Sequence, residues 1–347
     1  MEILENLGVA RETGLGETIS DLPPARPSSL TRDPSSTSLG KLDSLPPELL
    51  LHTFHFLDFR SLSHFSRVSL SAKAAVESFP AYKDMMAHAP ETLTALSETR
   101  LIGRHTAGLL HQTLRSSRCT SCAAFGCFLF LPTCERACLQ CIKDNCGLRV
   151  TTPGVAKACF CLTPAQAKKI PRMRSIPGRY GPVGTDIYRA AYNLVSVKDA
   201  KQLAIKIHGS EEAVVELWLP QIQHPQSLSG RLLQLYRELV QAPLGHSDSH
   251  ARVTIRRGRI EDAYYGMAST RFPSVTGARA EHGRLCRGCQ FMLGQMHRNE
   301  LPEDVIVEEW DTILDDASRL RSERELGEHA RTCKGVRVLL ERGEITR

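Results

Sequence analysis

Two cysteine pairs with a two-residue spacer, Cys119-x2-Cys122 and Cys138-x2-Cys141, lie within one short stretch, and nothing else in the sequence limits the fold as tightly. Such a spacer lets two thiolates reach one ion from a tight knuckle, and two knuckles complete a tetrahedron. The 15 residues between Cys122 and Cys138 suffice for a small hairpin around AFGCFLFLPT. These four cysteines are therefore expected to hold one structural zinc ion, with Cys134 competing for the place of Cys138. Cys127, Cys146, Cys159 and Cys161 read as small buried side chains, which free cysteine commonly supplies.

A second set is Cys286-x2-Cys289 with His329-x3-Cys333, 39 residues further on. Residues four apart on a helix share a face, so His329 and Cys333 are expected to converge on one ion that the distant Cys286-Cys289 knuckle completes. His282 and His297 are the alternative histidines. Both sites would have four protein ligands, which leaves no open position for an activated water and points to structure rather than catalysis.

Residues 42 to 79 compress three short amphipathic helices into fewer than 40 positions. Pro46 and Pro47 suit a first turn, whose amides lack partners anyway. Leu45, Leu49, Leu50, Phe54 and Leu57 follow at helical spacing. Asp58 begins a break, and Ser61 is a plausible cap for a second helix bearing Leu62, Phe65 and Val68. Ala72 to Phe79 reads as a third. A unit this small cannot bury so many large apolar side chains alone, so the surplus is expected to face another protein.

The order LPPELL, Phe54-x2-Leu57, then Leu62, Phe65, Val68 and Ser69, resembles the F-box, the segment by which substrate receptors attach to the Skp adaptor of cullin-RING ubiquitin ligases. Where many F-boxes carry a tryptophan, this chain has Ala72 to Val76. The resemblance implies that Leu45, Pro46, Leu49, Leu50, Phe54, Leu57, Leu62, Phe65 and Val68 bind the adaptor and, through it, a cullin. Over a longer span, CTSC with the FG and LF pairs after it, TCERACLQC, SIPGRYG, SVKDAKQLAIKIHG, and CRGCQ followed by EHARTC are similar to a group of fungal F-box proteins with two zinc-binding regions. That likeness implies Cys286, Cys289, His329 and Cys333 as the second ligand set, and two zinc ions in all.

At 347 residues there is room for two or three domains. The expected fold class is α+β, mainly α with small β-hairpins: a disordered tail over 1–40, rich in Ser, Pro, Gly and Thr, a three-helix F-box over 41–88, and a helical linker over 89–116. A four-cysteine zinc region with a basic extension then covers 117–180. A helical and β region, closed by the second site of three cysteines and one histidine, covers 181–347. Thr163 and Ser196 are expected helix caps, the latter for a helix to His208 with Gly209 beyond it, and IPGRYG is an expected turn. A helix over Leu228 to Gln241, strands in ARVTIRRG and AYYGMASTRF, and acidic helices over Glu303 to Asp315 and Asp316 to Leu340 complete the reading.

No apolar run reaches the roughly 18 residues of a membrane helix, and MEILENLGVARETG lacks the layout of a signal peptide. An intracellular protein of the cytoplasm or nucleus is expected, where thiols stay reduced and serve as ligands rather than disulfides. The net charge of +6 is unevenly spread: residues 100 to 180 hold thirteen Lys and Arg against Glu135 and Asp144, and residues 300 to 328 hold eleven Asp and Glu against three Arg. The asymmetry admits a nucleic-acid face using Arg172, Arg174 and Arg179, or two mutually attracting segments. Few aromatics interleave those charges, so nucleic acid is the lesser reading. No phosphate loop, Gly-x-Ser-x-Gly elbow or His-Glu-x-x-His helix is present, nor the interleaved histidine of a RING. The chain is thus expected to be a non-enzymatic adaptor presenting an unknown protein substrate, with a zinc-dependent nucleic-acid binder or regulatory protein as the alternative.

Overall fold

The computed structural model describes residues 6–10, 18–20, 22–26, 37–181, 186–218, 239–240, 262–300 and 310–345. The expected helix over Leu228 to Gln241, all but two of whose residues are missing from these ranges, the strand in ARVTIRRG and the first part of the first acidic helix lie outside them. Within them the chain is α+β, with short helices and small antiparallel strand sets.

Helices α1 (Pro47–Phe54), α2 (Phe59–Phe65) and α3 (Leu70–Ser78) form the compact unit foreseen for residues 42–79. Its caps differ from expectation. Asp58, not Ser61, caps α2: its carboxylate accepts from the Ser61 amide at 2.8 Å and the Ser61 hydroxyl at 3.0 Å. Ser69 caps α3 through the Ala72 amide, so that helix starts earlier than Ala72. Phe54 packs edge-on against Phe65 and Phe79, with centroids 5.4 and 5.7 Å away. Such pairs add about 0.5–1.5 kcal/mol beyond area burial.

Prolines open the next two helices, α4 (Pro80–His88) and α5 (Pro90–Glu98), where a missing N–H removes nothing. Helix α6 (Ala107–Arg115) is then stitched to the turn between α1 and α2, since Ala107 and Gly108 amides donate to the Leu57 and His55 carbonyls at 2.7 and 3.0 Å. The stretch 89–116, expected as a linker, is therefore packed: Leu93, Leu96, Leu110 and Leu114 share one continuous core with Phe54, Leu62, Phe128, Phe130 and Phe272.

Strands β2 (Phe128–Phe130) and β3 (Glu135–Ala137) form the hairpin expected between the two CxxC pairs, and β9 (Ser269–Arg271) extends it on the other side of β2. Only the end of AYYGMASTRF is strand, because residues 263–268 turn into it. Helix α7 (Leu139–Asp144) leads to a second sheet, ordered β4 (Val150–Thr151), β8 (Asn193–Ser196), β5 (Arg172–Arg174). Between β4 and β5 lie α8 (Pro153–Cys159) and α9 (Pro164–Ala167), the latter opened by a Thr163 capping box. IPGRYG is not a turn: its third to fifth residues are β6 (Gly178–Tyr180), paired with β7 (Asp186–Tyr188).

Ser196 caps α10 (Val197–His208) through the Asp199 amide, and Gly209 ends it at φ +100°, a conformation that glycine adopts without a Cβ penalty. With α11 (Glu211–Glu216), this helix builds a second core around Phe160 and Trp218, whose indole donates to the Cys159 carbonyl at 2.7 Å.

After the β10–β11 hairpin (Ser274–Thr276, Arg279–Glu281), β12 (Leu285–Cys286) and α12 (Arg287–Arg298) open a third core, closed by α13 (Trp310–Ser318), α14 (Glu323–Ala330) and α15 (Lys334–Glu341). The expected single helix from Asp316 to Leu340 is thus three pieces, broken at 319–322 and again at 331–333. Three described segments of the leader are ordered against this body, unlike the disordered tail expected for 1–40, one of them through the Ala25 amide on the Pro90 carbonyl at 3.2 Å. Gly8–Val9 forms β1, antiparallel to β12, with Leu7 buried in the third core. The Ile19 amide donates to the Ser269 carbonyl at 2.8 Å, and its side chain is buried. Edge strands supply the backbone partners that so apolar-poor a segment cannot make internally.

Candidate metal centres and docking face

The first cysteine set converges. The thiols of Cys119, Cys122, Cys138 and Cys141 all lie within 4.8 Å of one another, Cys119 and Cys138 buried and the other two half-buried. One knuckle is a turn before β2, where the Ala123 amide donates to the Cys119 carbonyl at 2.9 Å and Ala123 takes φ +59°. The other is the start of α7, where the Cys141 amide donates to the Cys138 sulfur at 3.4 Å. The β2–β3 hairpin brings the two ends together, as the spacing suggested. Cys134 lies elsewhere: its sulfur meets the Thr113 hydroxyl at 3.7 Å, and burial pushes its thiol up to about 11. Cys159 is likewise a core thiol, pushed up to about 12 by burial.

The second set also converges, by a different route. Cys286, Cys289, His329 and Cys333 place their ligand atoms within 4.8 Å of one another. His329 and Cys333 do not share one helix face as expected. His329 is in the last turn of α14 and Cys333 is the N-cap of α15, joined by a tight turn in which the Thr332 and Cys333 amides both donate to the His329 carbonyl. The turn swings α15 against α12, where Gly335 meets Gly288, so the thiolate approaches from a helix start rather than a helix side. His297 sits in the last turn of α12 and His282 before β12, neither in the cluster.

The donor sets fit zinc. A zinc–sulfur bond of about 2.3 Å in a tetrahedron sets sulfurs about 3.8 Å apart. Cys122–Cys138, Cys286–Cys333 and Cys289–Cys333 are separated by 3.6, 3.8 and 3.7 Å, and Nε2 of His329 lies 3.1 Å from the Cys289 sulfur. All twelve cysteines are free thiols. In each cluster the crowded thiols drive one another's ionisation apart. Hydrogen bonds from Cys289 and Cys333 hold Cys286 down to about 3, while Cys289 is pushed well above the thiol range by its bonds to the same partners. Cys119 is held far down by Cys122, Cys138 and Cys141, and Cys138 and Cys141 are pushed up. Four crowded sulfurs can all ionise only with a cation among them.

Arg136, one residue into the hairpin's return strand, was not singled out from sequence. Its side chain is fully buried and donates to the Thr113, Gly126, Phe272 and Pro273 carbonyls at 2.6–3.0 Å, with its guanidinium 4.9 Å from the Phe272 ring. Burial lowers it to about 10. It ties α6, the first knuckle and β9 into one piece.

The residues expected to bind an adaptor divide in two. Leu50, Phe54 (2 % exposed) and Leu62 (0 %) are spent on the internal core, with Leu57 and Phe65 half-buried against it. Leu45, Pro46, Leu49 (54 %) and Val68 (76 %) face solvent. Phe56, passed over in the sequence, is 67 % exposed. The apolar surplus is real but smaller than the sequence suggested, because α4 and α6 cover part of it.

Residues 42–84 match the family model of the F-box domain. This chain carries an F-box. That domain supports a role as an adaptor of an SCF ubiquitin ligase, binding Skp and through it a cullin. No curated protein and no solved structure matches the chain. No helix among the described residues is long and apolar enough to cross a membrane.

Proposed function

We propose that this protein is a substrate receptor of the kind its sequence resembles, a fungal F-box protein with two zinc regions. The F-box holds the Skp adaptor, and the body built on two structural zinc ions presents a protein substrate to the ligase in the cytoplasm or nucleus. The chain itself performs no chemistry, and its contribution to ubiquitin transfer is to hold the substrate near the transfer site. One observation carries this reading: the segment matching the F-box exposes Leu45, Leu49, Phe56 and Val68, too much large apolar surface for so small a unit to leave in water without a partner. Cys119, Cys122, Cys138 and Cys141 hold one ion, and Cys286, Cys289, His329 and Cys333 the other. They serve as cross-links that a chain with such short helices and strands needs.

The test separates docking from folding. Leu49→Glu with Val68→Glu should abolish co-purification of the Skp adaptor while the melting temperature and zinc content stay at wild-type values, since both side chains face solvent. Phe54→Ala should instead lower stability by about 3–5 kcal/mol through the cavity it leaves. Undiminished adaptor binding by the double variant would refute the assignment.

A further inference from the structure

Strands β5 and β8 and the β6–β7 hairpin form one long ribbon. Arg172, Met173 and Arg174 pair with Val195, Leu194 and Asn193, and Gly178, Arg179 and Tyr180 pair with Tyr188, Ile187 and Asp186. Between these ladders Ser175 and Tyr192 exchange bonds, the Ser175 amide to the Tyr192 carbonyl at 2.8 Å and the Tyr192 amide to the Ser175 hydroxyl at 2.8 Å. Gly178 lies three positions from Ser175 and Tyr188 four from Tyr192, so the ribbon carries a one-residue bulge. Bulges re-aim side chains and are frequent beside binding sites.

The ribbon's outward chemistry is one-sided. From residue 172 to 195 it holds four arginines and one carboxylate, Asp186. Met173 points into the core, which turns Arg172 and Arg174 outward, and Arg179 is exposed opposite the equally exposed Ile187. Arg189 is also exposed. None of these arginines takes part in an ion pair among the described residues, whereas Arg104, Arg115, Arg279 and Arg321 all do. Beside them Tyr188, Tyr192 and Tyr264 run edge to face at 6.1 and 5.8 Å, with the Tyr188 hydroxyl donating to the Ala263 carbonyl.

We infer that this ribbon is the substrate-docking face and that its occupant is an acidic, extended peptide segment. Unpaired arginines supply bidentate sites for carboxylates, and Ile187 and Tyr192 supply apolar contacts between them. The aromatic geometry argues against single-stranded nucleic acid: the tyrosine rings are turned against one another, so their faces do not form the open stacking platforms that bases need. The inference rests on the substrate-receptor reading for its purpose, but binding at the ribbon is measurable without it.

The experiment uses the full chain, zinc-loaded, with a fluorescein-labelled dodecapeptide alternating Glu with Leu and Tyr, its Lys-for-Glu counterpart, and a single-stranded DNA oligonucleotide. Saturable binding of the acidic peptide alone is expected. Arg174→Glu with Arg179→Glu should weaken it by about tenfold or more, since like charges across an interface are strongly disfavoured, with adaptor binding and zinc content unchanged. Equal affinity for the Lys peptide, an unaffected double variant, or tighter binding of the oligonucleotide at the same arginines would each overturn the inference. Undiminished adaptor binding by the F-box variant bears only on the receptor reading, so the two failures are distinguishable.

Discussion

Gly288 and Gly335 face each other where α12 crosses α15, so closely that a β-carbon built on Gly335 would stand 2.1 Å from the Gly288 carbonyl oxygen, and one built on Gly288 would stand 2.3 Å from the Val336 amide. Each glycine adjoins ligands of the second cluster, one between Cys286 and Cys289 and the other two residues past Cys333. The crossing therefore sets the distance at which the two halves of the site meet.

Gly288→Ala and Gly335→Ala should each push the helices apart and open the second cluster. Both obstacles are backbone, so neither can be relieved by a side-chain rotation, and the cost should reach or exceed the usual range of about 1–3 kcal/mol for overpacking. Elemental analysis should find about one zinc ion per chain instead of two. Full metal content in both variants would show that the crossing does not govern the site.

The first cluster and the F-box helices were legible because their signals are local: a two-residue spacer fixes a knuckle, and leucines at helical spacing fix a face. The second cluster was legible in its ligands but not its geometry. The sequence of α14 and α15 has unbroken helical character, and only the contact of Gly335 with Gly288, 47 positions away, forces the turn at Thr332. A glycine directly beside a ligand cysteine was the available signal. The same holds for the leader, where Leu7 and Ile19 become buried through edge strands supplied by residues near 270 and 285. Arg136 reads in sequence as one more member of a basic stretch, and only the folded backbone turns five carbonyls toward it.

Arg136→Lys should be severely destabilising although it preserves the charge. A lysine has one nitrogen where the guanidinium fork serves carbonyls from three separate segments. Carbonyls left buried without donors cost about 1–3 kcal/mol each. Chemical denaturation should place the variant at least about 3 kcal/mol below wild type, and a loss under about 1 kcal/mol would show that water replaces the arginine.

His105 is buried with Nε2 2.7 Å from the Leu131 carbonyl, and burial lowers its imidazole below the ordinary histidine value. The folded chain holds it neutral and donating to that carbonyl, whereas the unfolded chain takes up a proton near about pH 6.5. Below that pH the unfolded state binds more protons, so stability falls as pH drops. His105→Gln should keep the donor and remove the titration. Between about pH 7.5 and 5.5 its melting temperature should fall less than that of wild type, and acid loss of zinc, common to both proteins, cancels in the comparison. Parallel curves would remove His105 as a source of the slope.

The two centres make different demands on the rest of the chain, and cysteine variants should separate them. Wild type should carry about two zinc ions. Cys138→Ser should lose the first and Cys134→Ser neither, because Cys134 lies against Thr113 and outside the cluster. Cys333→Ser should lose the second, and its effect should spread. The third core shares Leu326 and Ala317 with helices that reach the first region, where the Phe125 amide donates to Glu325 at 3.0 Å and Gln140 to Asp315 at 3.2 Å. Part-buried hydrogen bonds of this kind contribute only about 0.5–3 kcal/mol each, so the third core itself must carry most of the coupling. Hydrogen exchange on Cys333→Ser should quicken across α12 to α15 and the 120–126 turn while the F-box helices stay protected. Faster exchange confined to α15 would show the second centre to be a local clasp.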